Sequence, residues 1–445
     1  MITKILRHSI SGNNIKKLFA SSLFRQTIAY GLTDAVNKAL PFILFPILAT
    51  ILTPVDYGVL SNYFVIVQLV TIISALSTTG SLISIWYKRK RELSTQYIYN
   101  EVVVISAICL VLLVLVLLFS PVIEKYTSVN LFWQLTTVLI AYFSNITALQ
   151  LTVWRLEEQP FKYGGYQILQ SLALTASTYI LVIVLRWNWE GRTWSQFAGI
   201  TLFGILSFII LIKKKNIRFR YSSANVKDIL MFGLPLLPHG MSVWLKTGVD
   251  KLLLTNFADL HENGLYSTAL TFTSIVFLLL FSFNNAYNPF LFKKLSQTDT
   301  TPGAYMVKKK LVKMTYTLFA GLVLFVFIAY LFSKYFIIFF LNDSYELSLK
   351  YLPPLMITAF FQGCYLLVVN YIFYARKTRK LGMITFTGSL VQMTLSWFLL
   401  TTFGASGIAW SSVIVAFFNF ILVWILSAKT YDMPWLFFLI KQPRS

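Results

Sequence analysis

Twelve apolar runs, each long enough to cross a bilayer, leave this chain few other ways to fold. A helix covers roughly 30 Å of hydrocarbon with about 20 predominantly apolar residues, and in lipid only a helix or a closed barrel satisfies its own backbone groups. The runs lie at about 27–52, 58–87, 98–120, 131–154, 164–186, 196–212, 228–256, 264–292, 311–340, 351–374, 381–401 and 406–427. Charged residues make up 12% of the 445 residues, against roughly 25% in an average soluble domain. The sequence therefore predicts an all-α integral membrane protein with about 12 transmembrane helices.

Lys and Arg number 38 against 16 Asp and Glu, a formal net charge of +22 that on a soluble chain would suggest a nucleic-acid partner. Their placement says otherwise. Of the 38, 30 fall in the two tails and in alternate loops, 5 in the opposite loops and 3 inside spans. That asymmetry follows the positive-inside rule and predicts cytoplasmic N- and C-termini. Spread over seven segments, the basic residues form no nucleic-acid patch, and they suit anionic membrane lipids. The first 26 residues lack the apolar core and cleavage site of a secretory signal, so they read as a retained cytoplasmic tail. Trp86, Tyr87, Trp187, Trp189 and Trp435 sit at span ends, where rings anchor at the headgroups. Cys109 and Cys364 lie in separate apolar runs with no ligand spacing around them, so neither a disulfide nor a metal site is expected. Neither a soluble catalytic domain nor a P-loop is present in the sequence, which disfavours ATP as a direct fuel.

An internal repeat organises the spans. Asp56-Tyr57-Gly58-Val59-Leu60-Ser61 matches Glu262-Asn263-Gly264-Leu265-Tyr266-Ser267, each stretch leading into a long helix after a proline-bearing one. Six spans then fall in each half, which predicts two six-helix lobes related by a pseudo-two-fold axis along the membrane normal. The expected organisation is a tail at about 1–26, an N-lobe at 27–212, a cytoplasmic linker at 213–227, a C-lobe at 228–427 and a C-terminal tail at 428–445.

Ionisable residues inside spans are expensive, about 2.5 to 3.5 kcal/mol at the bilayer centre by insertion scales, and so are functional candidates. Span 1 carries Asp34 and Lys38; span 7 carries Lys246, Asp250 and Lys251. Asp34 with Lys38, and Lys246 with Asp250, are spaced i,i+4, which puts each pair on one helix face where the charges can neutralise each other. Two readings stay open. The pairs are structural, with Lys251 snorkelling to the interface, or the lysine excess makes a cationic cavity for a pyrophosphate or acidic sugar. Pro235 and Pro238 predict a bend or break in span 7, a candidate hinge, and Pro41 and Pro46 predict the same for span 1. His239 either senses protons or bonds one of the carbonyls the prolines free. Asn284, Asn285 and Asn288 supply amides for sugar hydroxyls or for helix pairing.

Several stretches resemble the polysaccharide flippases of the MOP superfamily, the O-antigen (Wzx-type) translocases. They are Leu52 to Gly58, Phe232 to His239 with Asp250-Lys251, Gly264 to Ser267, Trp154 to Glu158 with Tyr163, Glu190 to Arg192 and Phe403 to Ala409. The resemblance runs over nearly the whole chain. It implies two six-helix lobes around a cavity and alternating access without ATP hydrolysis, in the bacterial cytoplasmic (inner) membrane. It also implies an undecaprenyl-pyrophosphate-linked oligosaccharide as substrate, and a polysaccharide polymerase and chain-length machinery as partners. No cofactor is implied beyond a coupling H+ or Na+, and no catalytic motif carries over. A MATE-like organic-cation antiporter is the nearest alternative, disfavoured by the lysine excess. A polymerase or glycosyltransferase would be expected to carry a large outer loop or an acidic metal site.

Overall fold

A computed structural model describes residues 44–435 except 77, 87–90, 215, 299–303 and 378, together with positions 33, 37, 40 and 42. Among the described residues every regular element is helical. One span is formed by α1 (Pro54–Ala75) and α2 (Thr78–Trp86), with Leu76 between them at φ +41°. Then follow α3 (Arg91–Thr127), α4 (Leu131–Leu156), α5 (Pro160–Thr178), whose last turn widens into a π-turn at Tyr179–Val184, and α6 (Asn188–Lys213). The seventh predicted span is broken into α7 (Ser223–Gly233), a 3-10 turn (Leu234–Leu236) and α8 (Leu237–Phe257). Beyond it come α9 (Leu260–Thr298), α10 (Ala304–Phe340), a 3-10 segment (Asp343–Lys350), α11 (Leu352–Tyr374), α12 (Arg379–Phe403) and α13 (Ser406–Thr430). Ten of these stretches are long and apolar enough to cross a membrane, and a bent pair makes 11. Half of the first predicted span lies outside the described residues.

Local chemistry sets the ends. Asn130 accepts from the Trp133 amide at the start of α4, and Ser222 from the Asn225 amide at the start of α7, satisfying donors that a helix N-terminus leaves free. Pro235 and Pro238 have no N–H to close the α-helical ladder, and the chain tightens to 3-10 geometry beside them. The axis bends by 49° between Ser223–Ser242 and Trp244–Phe257. The predicted break is present, but the bend itself falls about a turn past the second proline. There the Trp244 indole donates to the Val65 carbonyl at 2.9 Å. Pro46 lies inside an unbroken helical stretch, and Pro41 is outside the described residues.

Lipid exposure explains the surface. On α3, Leu110, Val111, Val114, Leu117, Leu118 and Phe119 are all exposed, and on α10 Val323, Leu324, Phe327 and Ile328 repeat the pattern. In water such faces would aggregate; in lipid they are the solvated ones. Inside, the polar groups pair with each other or with the preceding turn, as Ser74 does with the Val70 carbonyl and Thr268 with that of Gly264.

The chain forms two compact units, interleaved along the sequence. The first holds Ile66–Pro121 and Asn130–Leu237 with the segment up to Ile51; the second holds Leu52–Val65, Val122–Val129 and Pro238–Ser445. The chain passes from the first to the second at the end of the proline-bearing turn.

Within the second unit the two copies of the sequence repeat meet. Ser61 and Ser267, equivalent in the repeat, share a hydrogen bond of 2.7 Å. Gly58 and Gly264 pack so closely that a methyl on Gly58 would overlap the Leu260 carbonyl oxygen, and one on Gly264 that of Pro54. Around this contact Asn263 donates to Asn62 at 2.8 Å, to Thr255 at 3.0 Å and to the Gly58 carbonyl at 3.2 Å, while Asn62 reaches the Thr127 carbonyl at 2.9 Å. Glu262 receives Lys350 at 2.6 Å and the Tyr351 hydroxyl. Burial and that carboxylate push the Tyr351 phenol well above the ordinary tyrosine range, so it remains a donor.

Candidate functional site

The second unit holds a carboxylate that water does not reach. Asp250, in the middle of α8, has no exposed surface. Its Oδ2 accepts from the Tyr266 hydroxyl of α9 at 3.4 Å and from Gln392 Nε2 of α12 at 3.3 Å. Gln392 Nε2 also lies 3.1 Å from Ser396 Oγ and 3.0 Å from each of Ser411 and Ser412 on α13. Ser396 and Ser411 are 2.7 Å apart. Asp250 Oδ1 has no hydrogen-bond partner among the described residues.

Proton counting makes this site informative. A primary amide has two hydrogens, yet four oxygens surround Gln392 Nε2 within hydrogen-bond range, so at most two receive one. The buried Oδ1 of Asp250 stays outside this network. A proton on Asp250, or a small hard cation among the Asp250 carboxylate and the serine hydroxyls, would satisfy it. No group of three or more His, Cys, Asp or Glu able to hold a metal occurs among the described residues.

The lysines behave differently from the expectation drawn from spacing. Lys246 and Asp250 make no ion pair, because Tyr266 and Gln392 hold the carboxylate against α9 and α12. A shared i,i+4 face permits a salt bridge; it does not outcompete hydroxyl and amide donors already in place on other helices. Lys246 and Lys251 are half-buried, and neither ammonium group has a hydrogen bond or ion pair with a described residue. Asp34 and Lys38 lie outside the described residues, as does the His239 side chain. Asn284 pairs with Asn370 at 2.8 Å, which is helix pairing.

Sequence reasoning missed the rest of the cradle. Gln392 and Ser396 stand i,i+4 in a span without charged residues, a polar stripe of the kind that marks an interior face. Glu101 was missed too. It is fully buried in α3, but it stands one turn inside a span end, where a charge passes for interfacial.

Residues 23–295 match the family described as polysaccharide biosynthesis protein. The chain belongs to this family. A protein of the Lsg locus of Haemophilus influenzae is 23% identical over 390 residues, covering 84% of this chain and 92% of that protein. The fold is that of the MOP superfamily. An inward-facing multidrug resistance MATE family transporter of that superfamily has a TM-score of 0.68 at 12% identity, covering 88% of this chain and 94% of the transporter. The lipid II flippase MurJ, in its inward closed conformation, has a TM-score of 0.67 at 15% identity, covering 91% of this chain and 88% of MurJ. Family and fold together make this member a multi-pass membrane protein of polysaccharide biosynthesis with the fold that the MATE transporter and MurJ share, and the bacterial inner membrane fits it.

Proposed function

We propose that this family member flips an undecaprenyl-pyrophosphate-linked oligosaccharide, an O-antigen or related repeat unit, from the cytoplasmic to the outer leaflet. It does so by alternating access between lobes at about 27–212 and 228–427, joined by a linker at 213–227, with both termini cytoplasmic. The observation that carries this reading is the pair of half-buried lysines, Lys246 and Lys251, with no ion-pair partner among the described residues, on a membrane helix of a polysaccharide biosynthesis protein. An unpaired cation there is costly unless an anion comes to it. A pyrophosphate headgroup is such an anion, and Lys38 of span 1 is the third candidate to hold it.

Asp250 supplies the coupling in this proposal. An H+ or Na+ entering the oxygen cradle would neutralise the carboxylate and bias α8, which also carries Lys246 and Lys251. Asp34 is its candidate counterpart in span 1. Pro235 and Pro238 supply the flexible point on which α8 turns, and His239 beside them is a candidate to couple that turn to protonation. The product would pass to a polysaccharide polymerase and its chain-length machinery.

The test is headgroup translocation in proteoliposomes loaded with a lipid-pyrophosphate-linked oligosaccharide. Wild type should move the glycan, Lys38→Ala with Lys246→Ala should insert correctly and move none, and the Arg versions should retain partial activity. Proton-coupled export of organic cations without glycan movement would replace this reading with a MATE-like antiporter, which the buried Asp250 would also suit.

A further inference from the structure

A second buried acid lies in the first unit, outside the site described above. Glu101 of α3 has no exposed surface. Its Oε1 is 2.7 Å from Ser81 Oγ on α2, and its Oε2 is buried with no hydrogen-bond partner among the described residues. Ser81 Oγ is also 2.7 Å from the Thr78 carbonyl. A serine hydroxyl has one hydrogen and cannot donate to both oxygens. If Ser81 donates to the carbonyl, a proton on Glu101 completes the chain, running from Glu101 through Ser81 to Thr78. With Glu101 ionised, the charge is buried with at most one donor, and Ser81 serves it only by abandoning Thr78.

The helices that meet here include the first half of the broken span. One turn before Glu101, the fully buried Tyr97 donates to Asp228 of α7 at 3.0 Å. Asn100 accepts from the Ser222 amide at the α7 N-cap at 2.8 Å and donates to the Arg220 carbonyl at 3.1 Å. On α2, Gly80 stands against Phe232, and a methyl on Gly233 would overlap the Leu76 carbonyl oxygen where α1 gives way to α2. Successive residues of α3 therefore clasp α2 through Glu101 and α7 through Tyr97 and Asn100, and α7 runs straight into the 3-10 turn. Among the described side chains, the titratable or charged groups of the elements packed on this face are Tyr97 and Asp228, with Lys227, Arg218 and Arg220 exposed further out.

We infer that Glu101 is a proton-binding site of the first unit, and that its proton holds α7 docked on α2 and α3. Protonation takes H+ from water and forms the O–H bond that Ser81 accepts. Release returns H+ to water, leaves a carboxylate with too few donors and opens the α2–α3 contact on which α7 rests. The ligand is a proton and not a metal cation, because one serine and one acid provide too few oxygens to replace a hydration shell. This inference stands whatever substrate the protein carries.

The test is hydrogen exchange of the Ser223–Gly233 amides in nanodisc-embedded protein across a pH series, after correction for intrinsic exchange. Wild type should be protected at low pH and lose protection by about tenfold per pH unit above the midpoint, the slope of one proton. Glu101→Gln, neutral at every pH, should stay protected throughout. Infrared difference spectra provide a second reading that needs no Glu101 variant: in an Asp250→Asn background, a protonated-carboxyl C=O band should disappear over the same pH range. The inference is overturned by α7 protection that ignores pH in wild type, by the same pH dependence persisting in Glu101→Gln, by protection that follows Na+ instead of pH, or by absence of the band.

Discussion

Asp250 and Glu101 are both wholly buried carboxylates with one oxygen unpartnered, yet their surroundings differ in kind. Asp250 sits in a polar cluster drawn from three other helices, with the oxygens of Ser396, Ser411 and Ser412 gathered around its Gln392 donor. Glu101 bonds one serine, whose hydroxyl also meets the Thr78 carbonyl and the Tyr97 hydroxyl, and the missing hydrogen is its own. The first environment has the oxygens to bind either a proton or a small cation, and the second has room in its bookkeeping only for a proton. What tells two buried acids apart is therefore the count of donors around each, more than the depth of burial they share.

Substitutions can break that contrast. Asp250→Asn should have the largest effect, removing ion-driven glycan movement by on the order of a hundredfold, the upper end of coupling between sites. Transport measured with and without an imposed Na+ or H+ gradient checks it; unchanged gradient dependence would mean that the cradle couples nothing. Gln392→Leu should come next, destabilising the second unit by about 1–3 kcal/mol as the Asp250 and serine oxygens lose their shared donor. Thermal unfolding should show part of that loss restored by the coupling ion, an effect with no counterpart at Glu101.

In the first unit the expected effects are smaller. Gly233→Ala puts a methyl onto the Leu76 carbonyl and should cost about 1–3 kcal/mol of α7 docking, read as faster exchange at every pH. Tyr97→Phe should be mildest, about 1 kcal/mol from the lost bond to Asp228, lowering protection of α7 while leaving its pH midpoint in place.

Much of the fold was legible because lipid simplifies the code. An apolar run of sufficient length has one stable form, and the predicted span at 131–154 became Leu131–Leu156 while that at 351–374 became Leu352–Tyr374. Repeat equivalence was legible from Gly58 and Gly264 together with Ser61 and Ser267. Pairing was not. The i,i+4 rule reads only along one helix, whereas Asp250 is held from α9 and α12, so the expected Lys246 partnership could not be judged from spacing. Glu101 went unnoticed because hydropathy places a residue along the membrane normal without saying whether it faces lipid, water or a serine on the next helix.

The meeting of the two repeats has one more consequence. Gly58 against Gly264, and Ser61 against Ser267, is a contact in which each residue touches its own counterpart, the isologous arrangement of a two-fold dimer. Two free subunits could not rely on a patch this small, since a stable dimer buries far more surface. Here one polypeptide tethers both faces, so their encounter is intramolecular and immune to dilution. A contact on those terms can afford to be weak, and a weak contact can open and re-form many times without the partners ever being lost to each other.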